Sequence, residues 1–351
     1  VRAVAAIVAL ALVGACATPA TEPGPAAADR PPEVVHVTGV ADGAAPRVLC
    51  VVAHPDDEIA FAGTLYKTAT FLGGACDVFT VTNGEAGFKY ATLAERLYGA
   101  ELTDEEVGRR ELPEIRKAEL TDGCRTLGVR DIHFLREKDH RYTQDVDEVL
   151  PPGLDRSGRP MLGDPPMPGW QFAVGGPWDL ARVARQLDRR LAEGRYDFVL
   201  VHLPTQGTHA HHVAATVMAA EAVARMPADT RPAVLGARVV TDGEPPAPLA
   251  DVSRFDAVRI ADGVAPFVFD RRQTFGHQRK LDYRVVVNWA IAAHRSQGTM
   301  QLLVNRGDRE EYLLLDGAPP GAADRARAWF ESLSRPQFRE RVYGASAGTN
   351  R

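Results

Sequence analysis

Five short apolar runs recur along the chain, at residues 48–53, 78–82, 132–135, 198–203 and 234–240, and most are continuous rather than alternating. A strand with one wet face alternates apolar and polar side chains, whereas a strand covered on both faces does not. The runs therefore predict strands of a sheet packed between helices. Helical patterns fall between them, at 58–72, 106–127, 180–193 and 209–225. This alternation predicts an α/β fold built on a mostly parallel, doubly wound sheet with helices on both faces. Further apolar segments at 267–269 and 312–315, and a helix-like stretch at 280–294, add late strands and a packing helix.

Three regions break the pattern. Residues 140–178 carry many Pro and Gly and read as a long insertion, of a kind usually functional or disordered. Residues 17–45 are rich in Ala, Pro, Glu and Thr and suit a flexible tether, and 337–351 reads as a tail. Ahead of the tether, Arg2 precedes an apolar stretch at 3–15 and then Cys16. A short apolar segment closed by small residues reads as a secretory signal, and Leu12-Val13-Gly14-Ala15-Cys16 resembles a bacterial lipobox. The expectation is export, with a lipid anchor at Cys16 as the only tie to a membrane, or otherwise a secreted or periplasmic protein. The domain proper is then 46–336. Cys50, Cys76 and Cys124 remain, at apolar positions, and read as buried free thiols.

The 351 residues are 45% hydrophobic, enough for a large core, and the formal net charge of −5 gives no electrostatic case for a nucleic-acid partner. No GxGxxG follows the first strand, and neither a P-loop nor a GxSxG elbow is present. What stands there instead is VVAHPDDEI, residues 51–59. A buried run stopping at a histidine and three acids puts metal-capable groups at the carboxyl end of a strand, where open α/β sheets keep their chemistry. Pro55 suits the first position of a helix, with Asp56, Asp57 and Glu58 in its first turn. His54 and Asp57, three apart, can face one point, while Asp56 projects without ligating. Acidic N-capping alone explains the acids but not the histidine. After the fourth strand comes His209-Ala210-His211-His212. On a helix His209 and His212 share a face and His211 points elsewhere. One histidine from here completes a His/Asp/His set with an open position, the pattern of a catalytic zinc site that Fe, Co or Mn also accept.

AHPDDE at 53–58, TNGE at 82–85 and His-x-x-His at 209–212, with RKAEL at 116–120, LGV at 127–129 and AHRSQ at 293–297, resemble the PIG-L (LmbE-like) N-deacetylase family over about 48–297. The resemblance implies a Rossmann-like zinc hydrolase that removes acetyl groups from N-acetylglucosamine-type or related amides. It implies His54, Asp57 and His212 as ligands, Asp56 as general base, and His209 as the group that polarises or protonates at the scissile carbonyl. Arg116 and Asp139 fall at substrate-contact positions, and Glu85, His294 and Gln297 at supporting ones. The family's second cluster is commonly His-Pro-Asp-His. His211 here cannot supply that negative charge, so another carboxylate must do so or His209 titrates differently. Two other readings use the same residues: a non-catalytic carbohydrate- or metal-binding lipoprotein, and an amidase acting on N-acyl or S-conjugated cysteine derivatives.

Overall fold

Residues 30–38, 45–151, 177–253 and 255–336 are described by the computed structural model. The chain divides into two units, Val1–Arg30 and Pro31–Arg351, and every described strand and helix belongs to the second. Cys16, most of the expected tether, the centre of the 140–178 insertion with Trp170, and the tail lie outside the described residues.

The strands are β1 (Glu33–His36), β2 (Arg47–Val52), β3 (Ala75–Thr82), β4 (Asp131–Glu137), β5 (Phe198–His202), β6 (Ala233–Val240), β7 (Phe267–Asp270), β8 (Thr274–Phe275), β9 (Leu281–Asp282) and β10 (Arg309–Leu314). Eight of them form one sheet in the order β1-β4-β3-β2-β5-β6-β10-β7, and β8 pairs with β9 in a small hairpin. The five runs read from the sequence are the five central strands, β4-β3-β2-β5-β6, all parallel. The edges β1, β10 and β7 pair antiparallel.

The helices are α1 (Ala62–Thr70), α2 (Thr92–Tyr98), α3 (Glu105–Leu127), α4 (Leu180–Gly194), α5 (Ala210–Ala224), α6 (Arg284–Ala293) and α7 (Ala322–Ser334). Each face of the sheet has its own core. Val48, Cys50 and Val52 of β2 pack with α1, α3, α6 and α7. Leu49 and Val51 pack on the other side with α4 and α5. Both faces are dry, so the central strands carry apolar side chains on both, interrupted by buried polar groups such as Asp77 and Thr80 of β3 and His133 of β4. Helix starts are set by caps: the Asp104 carboxylate accepts from the Val107 N–H at 3.0 Å, and Asp179 from Arg182 N–H at 2.9 Å. Cys50, Cys76 and Cys124 are buried free thiols.

Three local expectations change. Glu33–His36, read as tether, is edge strand β1 against β4; its two valines are too short a run to stand out from the surrounding composition. Pro55 lies in a turn, not at a helix start, because a 3-10 helix over Asp57–Phe61 precedes α1. The helix expected from 280 begins at Arg284, since Leu281 and Asp282 pair with β8. Within the insertion, Val146–Glu148 forms a 3-10 turn and Trp178 is buried.

The antiparallel edge holds α1 in place. Glu310 of β10, fully buried, accepts from the N–H groups of Gly63 (2.8 Å) and Thr64 (3.0 Å) at the start of α1. Arg271 donates to Glu310 at 2.8 Å and to the Ile59 carbonyl at 2.7 Å. The turn after β2 is thus pinned from both ends.

Candidate metal centre

The chain runs from β2 towards β3 on one side and from β5 towards β6 on the other, although β2 and β5 are neighbours. A crevice opens at such a switch point, beyond the carboxyl ends of the strands. His54 enters it from β2, and the histidines before and within α5 enter it from β5. His54 Nδ1 is 3.2 Å from His212 Nε2 and 3.4 Å from Asp57 Oδ2, and His212 Nε2 is 3.1 Å from Asp57 Oδ1. Donor atoms at about 2.0–2.1 Å from a zinc-type ion in tetrahedral array stand about 3.3 Å apart. The two ring nitrogens are spaced for one ion, one Asp57 oxygen faces each of them, and one donor atom from each of the three residues lies within 4.8 Å of the others. The two rings meet at 68°, so a single point can lie in both ring planes.

Each donor is held from behind. Asp57 Oδ2 accepts from the backbone N–H groups of Ala53 (3.0 Å) and His54 (2.7 Å). Burial pushes its carboxyl up, but the His212 and His54 rings outweigh this and hold it well below the ordinary range. Thr208 Oγ1 lies 2.9 Å from His212 Nδ1, which carries the ring proton when Nε2 is the donor.

Asp56 precedes the 3-10 helix at φ 146°, a backbone region rarely adopted by a residue with a Cβ. Its Oδ2 is 2.9 Å from Arg116 Nη2. Burial raises the Asp56 carboxyl against the lowering effect of that guanidinium, and the net direction is upward. Arg116, expected at the substrate, is 3% exposed and also donates to the carbonyls of Pro55 and Gly84. Its hydrogen bonds are directed at the turn, so it shapes the turn and faces no open surface. Behind this, His294 Nε2 lies 2.6 Å from Glu58 Oε1, both fully buried, and the Gln297 amide packs where a Cβ on Gly87 would fall.

The remaining histidines form a second group with Asp139. His54 Nε2 is 3.1 Å from His211 Nδ1, which is 3.4 Å from Asp139 Oδ1. Asp139, expected at the substrate, is also buried, at 3% exposure, and its Oδ2 accepts from the Ala86 N–H. Glu85 accepts from the Asp139 N–H at 3.1 Å, and burial lifts its carboxyl to about 7. His209 and His211 stack at 4.3 Å with only 23° between planes. The in-plane lone pairs of rings stacked this nearly parallel do not converge on one nearby cation, so the group is a poor second ion site despite its four donor residues.

His211 is where the sequence reading fails. His209 is the cap of α5, with extended backbone at φ −63°, ψ 135°, and its Nδ1 accepts from the His211 N–H at 3.1 Å. Counting 100° per residue from 209 is therefore invalid, and His211 turns inward, fully buried against Trp178. His140 was also missed; the signal was Asp139-His140 just after a buried strand, the same position that singled out His54.

The PIG-L family model, described as GlcNAc-PI de-N-acetylase, matches residues 49–223. The chain belongs to the PIG-L family. A Bacillus cereus protein named "Probable N-acetyl-alpha-D-glucosaminyl L-malate deacetylase 2" is 24% identical over 198 residues, 56% of this chain and 70% of that one. The N,N'-diacetylchitobiose deacetylase structure from Pyrococcus horikoshii is 23% identical, covering 52% of this chain and 50% of that one, with TM-score 0.34. A teicoplanin deacetylase structure in a zinc-inhibited form is 16% identical, covering 78% of this chain and 100% of that one, with TM-score 0.43. The PIG-L match covers β2, β3, β4 and β5 with the loops that carry the crevice.

Proposed function

We propose that this PIG-L protein is a metal-dependent N-deacetylase that hydrolyses the acetamide of an N-acetylglucosamine-type amino sugar or glycoconjugate. The observation that carries the reading is the convergence of His54, Asp57 and His212 at 3.1–3.4 Å, with a further carboxylate, Asp56, in the same turn, held by Arg116 and within the field of His54 and Asp57. A pure binding site has no use for that extra carboxylate. When bound, a zinc-type ion in this set would polarise the amide carbonyl and make water a nucleophile near neutral pH.

The chain's own groups do the rest. Asp56 takes a proton from the attacking water as its oxygen bonds to the carbonyl carbon. It returns that proton to nitrogen as the C–N bond breaks, leaving acetate and a free amine. Its raised carboxyl suits both duties. His209 stays neutral, because burial and the neighbouring rings push it down to about 2. With its Nδ1 accepting from the backbone, its proton sits on Nε2, so it donates a hydrogen bond to the developing oxyanion and does not act as a cationic acid.

The lipobox-like Leu12–Cys16 stretch supports export and anchoring at Cys16, which would put envelope glycans within reach. Labelling by a radioactive fatty acid, lost in Cys16→Ser, is the check. The activity itself is tested by metal analysis joined to acetate release over a panel of N-acetylglucosamine derivatives, with N-acyl cysteine conjugates alongside. Acetate from the sugars with one bound ion is expected. Bound metal with no amine released from any of them would overturn the proposal.

A further inference from the structure

We propose that His211, with His140 and Glu148 behind it, is the positioning residue for the ligand His54; this rests on the metal-centre reading above. If His54 gives its Nδ1 lone pair to the ion, the neutral ring carries its proton on Nε2. That N–H points at His211 Nδ1, 3.1 Å away, which must then be bare. The proton of His211 is consequently on Nε2, 3.1 Å from His140 Nδ1. By the same step His140 carries its proton on Nε2, which faces the Glu148 carboxylate at 3.4 Å. One tautomer at each ring satisfies every link, and the chain ends on an anion that Arg141 also binds, at 2.7 Å and 3.1 Å.

The opposite arrangement would give the otherwise unpartnered Asp139 Oδ1 a donor but breaks this chain at its first link. A proton on His211 Nδ1 would bond Asp139 Oδ1, but it would also set two N–H groups against each other 3.1 Å apart at His54. Asp139 stands 4.0 Å from His54 Nε2, farther than His211, and acts on this proton through its field. Ligating histidines almost always donate their second N–H to a carboxylate, carbonyl or water, which orients the ring and raises its basicity. Here an imidazole takes that place and hands the interaction on from a buried ring to a partly exposed carboxylate. Side-chain exposure rises from 0% at His211 to 21% at His140 and 30% at Glu148.

The test measures zinc affinity of the full chain by competition with a chromophoric chelator, and the visible absorption bands of the cobalt-substituted protein. Asparagine keeps an acceptor oxygen near the Nδ1 position, whereas leucine fills volume without one. His211→Leu should lose about 10–100-fold in zinc affinity and shift the cobalt bands, while His211→Asn stays close to the parent. His140→Leu, on a partly exposed ring, should lose up to about tenfold. Equal losses in the leucine and asparagine variants would mean packing alone and overturn the proposal. So would parental affinity in both His211→Leu and His140→Leu. If His212→Ala bound zinc as tightly as the parent, the metal-centre reading itself would fall, and that result is distinct from either.

Discussion

Asp56 sits in a backbone conformation that costs about 1–3 kcal/mol for a residue with a Cβ, and Arg116 ties its carboxylate to the Pro55 and Gly84 carbonyls. Such strain persists only where the surroundings hold it. Asp56→Asn keeps the shape and removes the base, so acetate release should fall by about 10²–10⁴ while zinc content stays at the parental level. Loss of the ion together with residual turnover would reverse these roles. Gly84 has φ 70°, and a Cβ there would stand 2.1 Å from Arg116 Nη1. Gly84→Ala should therefore displace the guanidinium, lowering kcat more than zinc affinity, with turnover and chelator competition read side by side. At this scale the pairing of His54 with Asp57 was readable from spacing alone, because three residues cover one turn. His211 and Arg116 were not. Whether a residue caps a helix or lies inside it, and which carbonyls a long side chain reaches, depends on backbone that local spacing does not encode.

Among the elements, α1 carries the turn after β2, and its start is capped by a strand nearly 250 residues away. Glu310 accepts two α1 N–H groups and is neutralised by Arg271, which also holds the Ile59 carbonyl of the 3-10 turn. Removing one partner of a buried pair leaves the other charge without solvent or counterion. Arg271→Met should destabilise the protein by about 3–5 kcal/mol, read from urea denaturation midpoints. The central parallel strands were legible because burial on both faces leaves mostly apolar runs without the alternation of a half-exposed strand. The edge contribution was not, since Glu310 and Arg271 look like ordinary surface charges until β10 folds against α1.

For the molecule as a whole, acid sensitivity follows from histidines buried neutral. His133 of β4, away from the metal centre, is pushed down to about 4 by burial and by the Arg190 guanidinium. The unfolded ring titrates near 6.5, so both states are neutral at higher pH and the site costs nothing there. As pH falls from about 6.5 to about 4 the unfolded chain takes up a proton that the folded one refuses, and stability drops by up to about 3 kcal/mol. Urea titrations across this window should show the loss, and His133→Gln should flatten that part of it. The sequence by itself determined the parallel strands, the helices between them and the local pairs at the strand ends, because solvent exclusion and the period of strand or helix act over neighbouring residues. Only the tertiary structure decided that β2 and β5 lie side by side, that His54 meets His212, and that His211 rather than an acid stands behind the ligand. Those contacts join segments about 160 residues apart, and their geometry is set by how the whole sheet buries both of its faces.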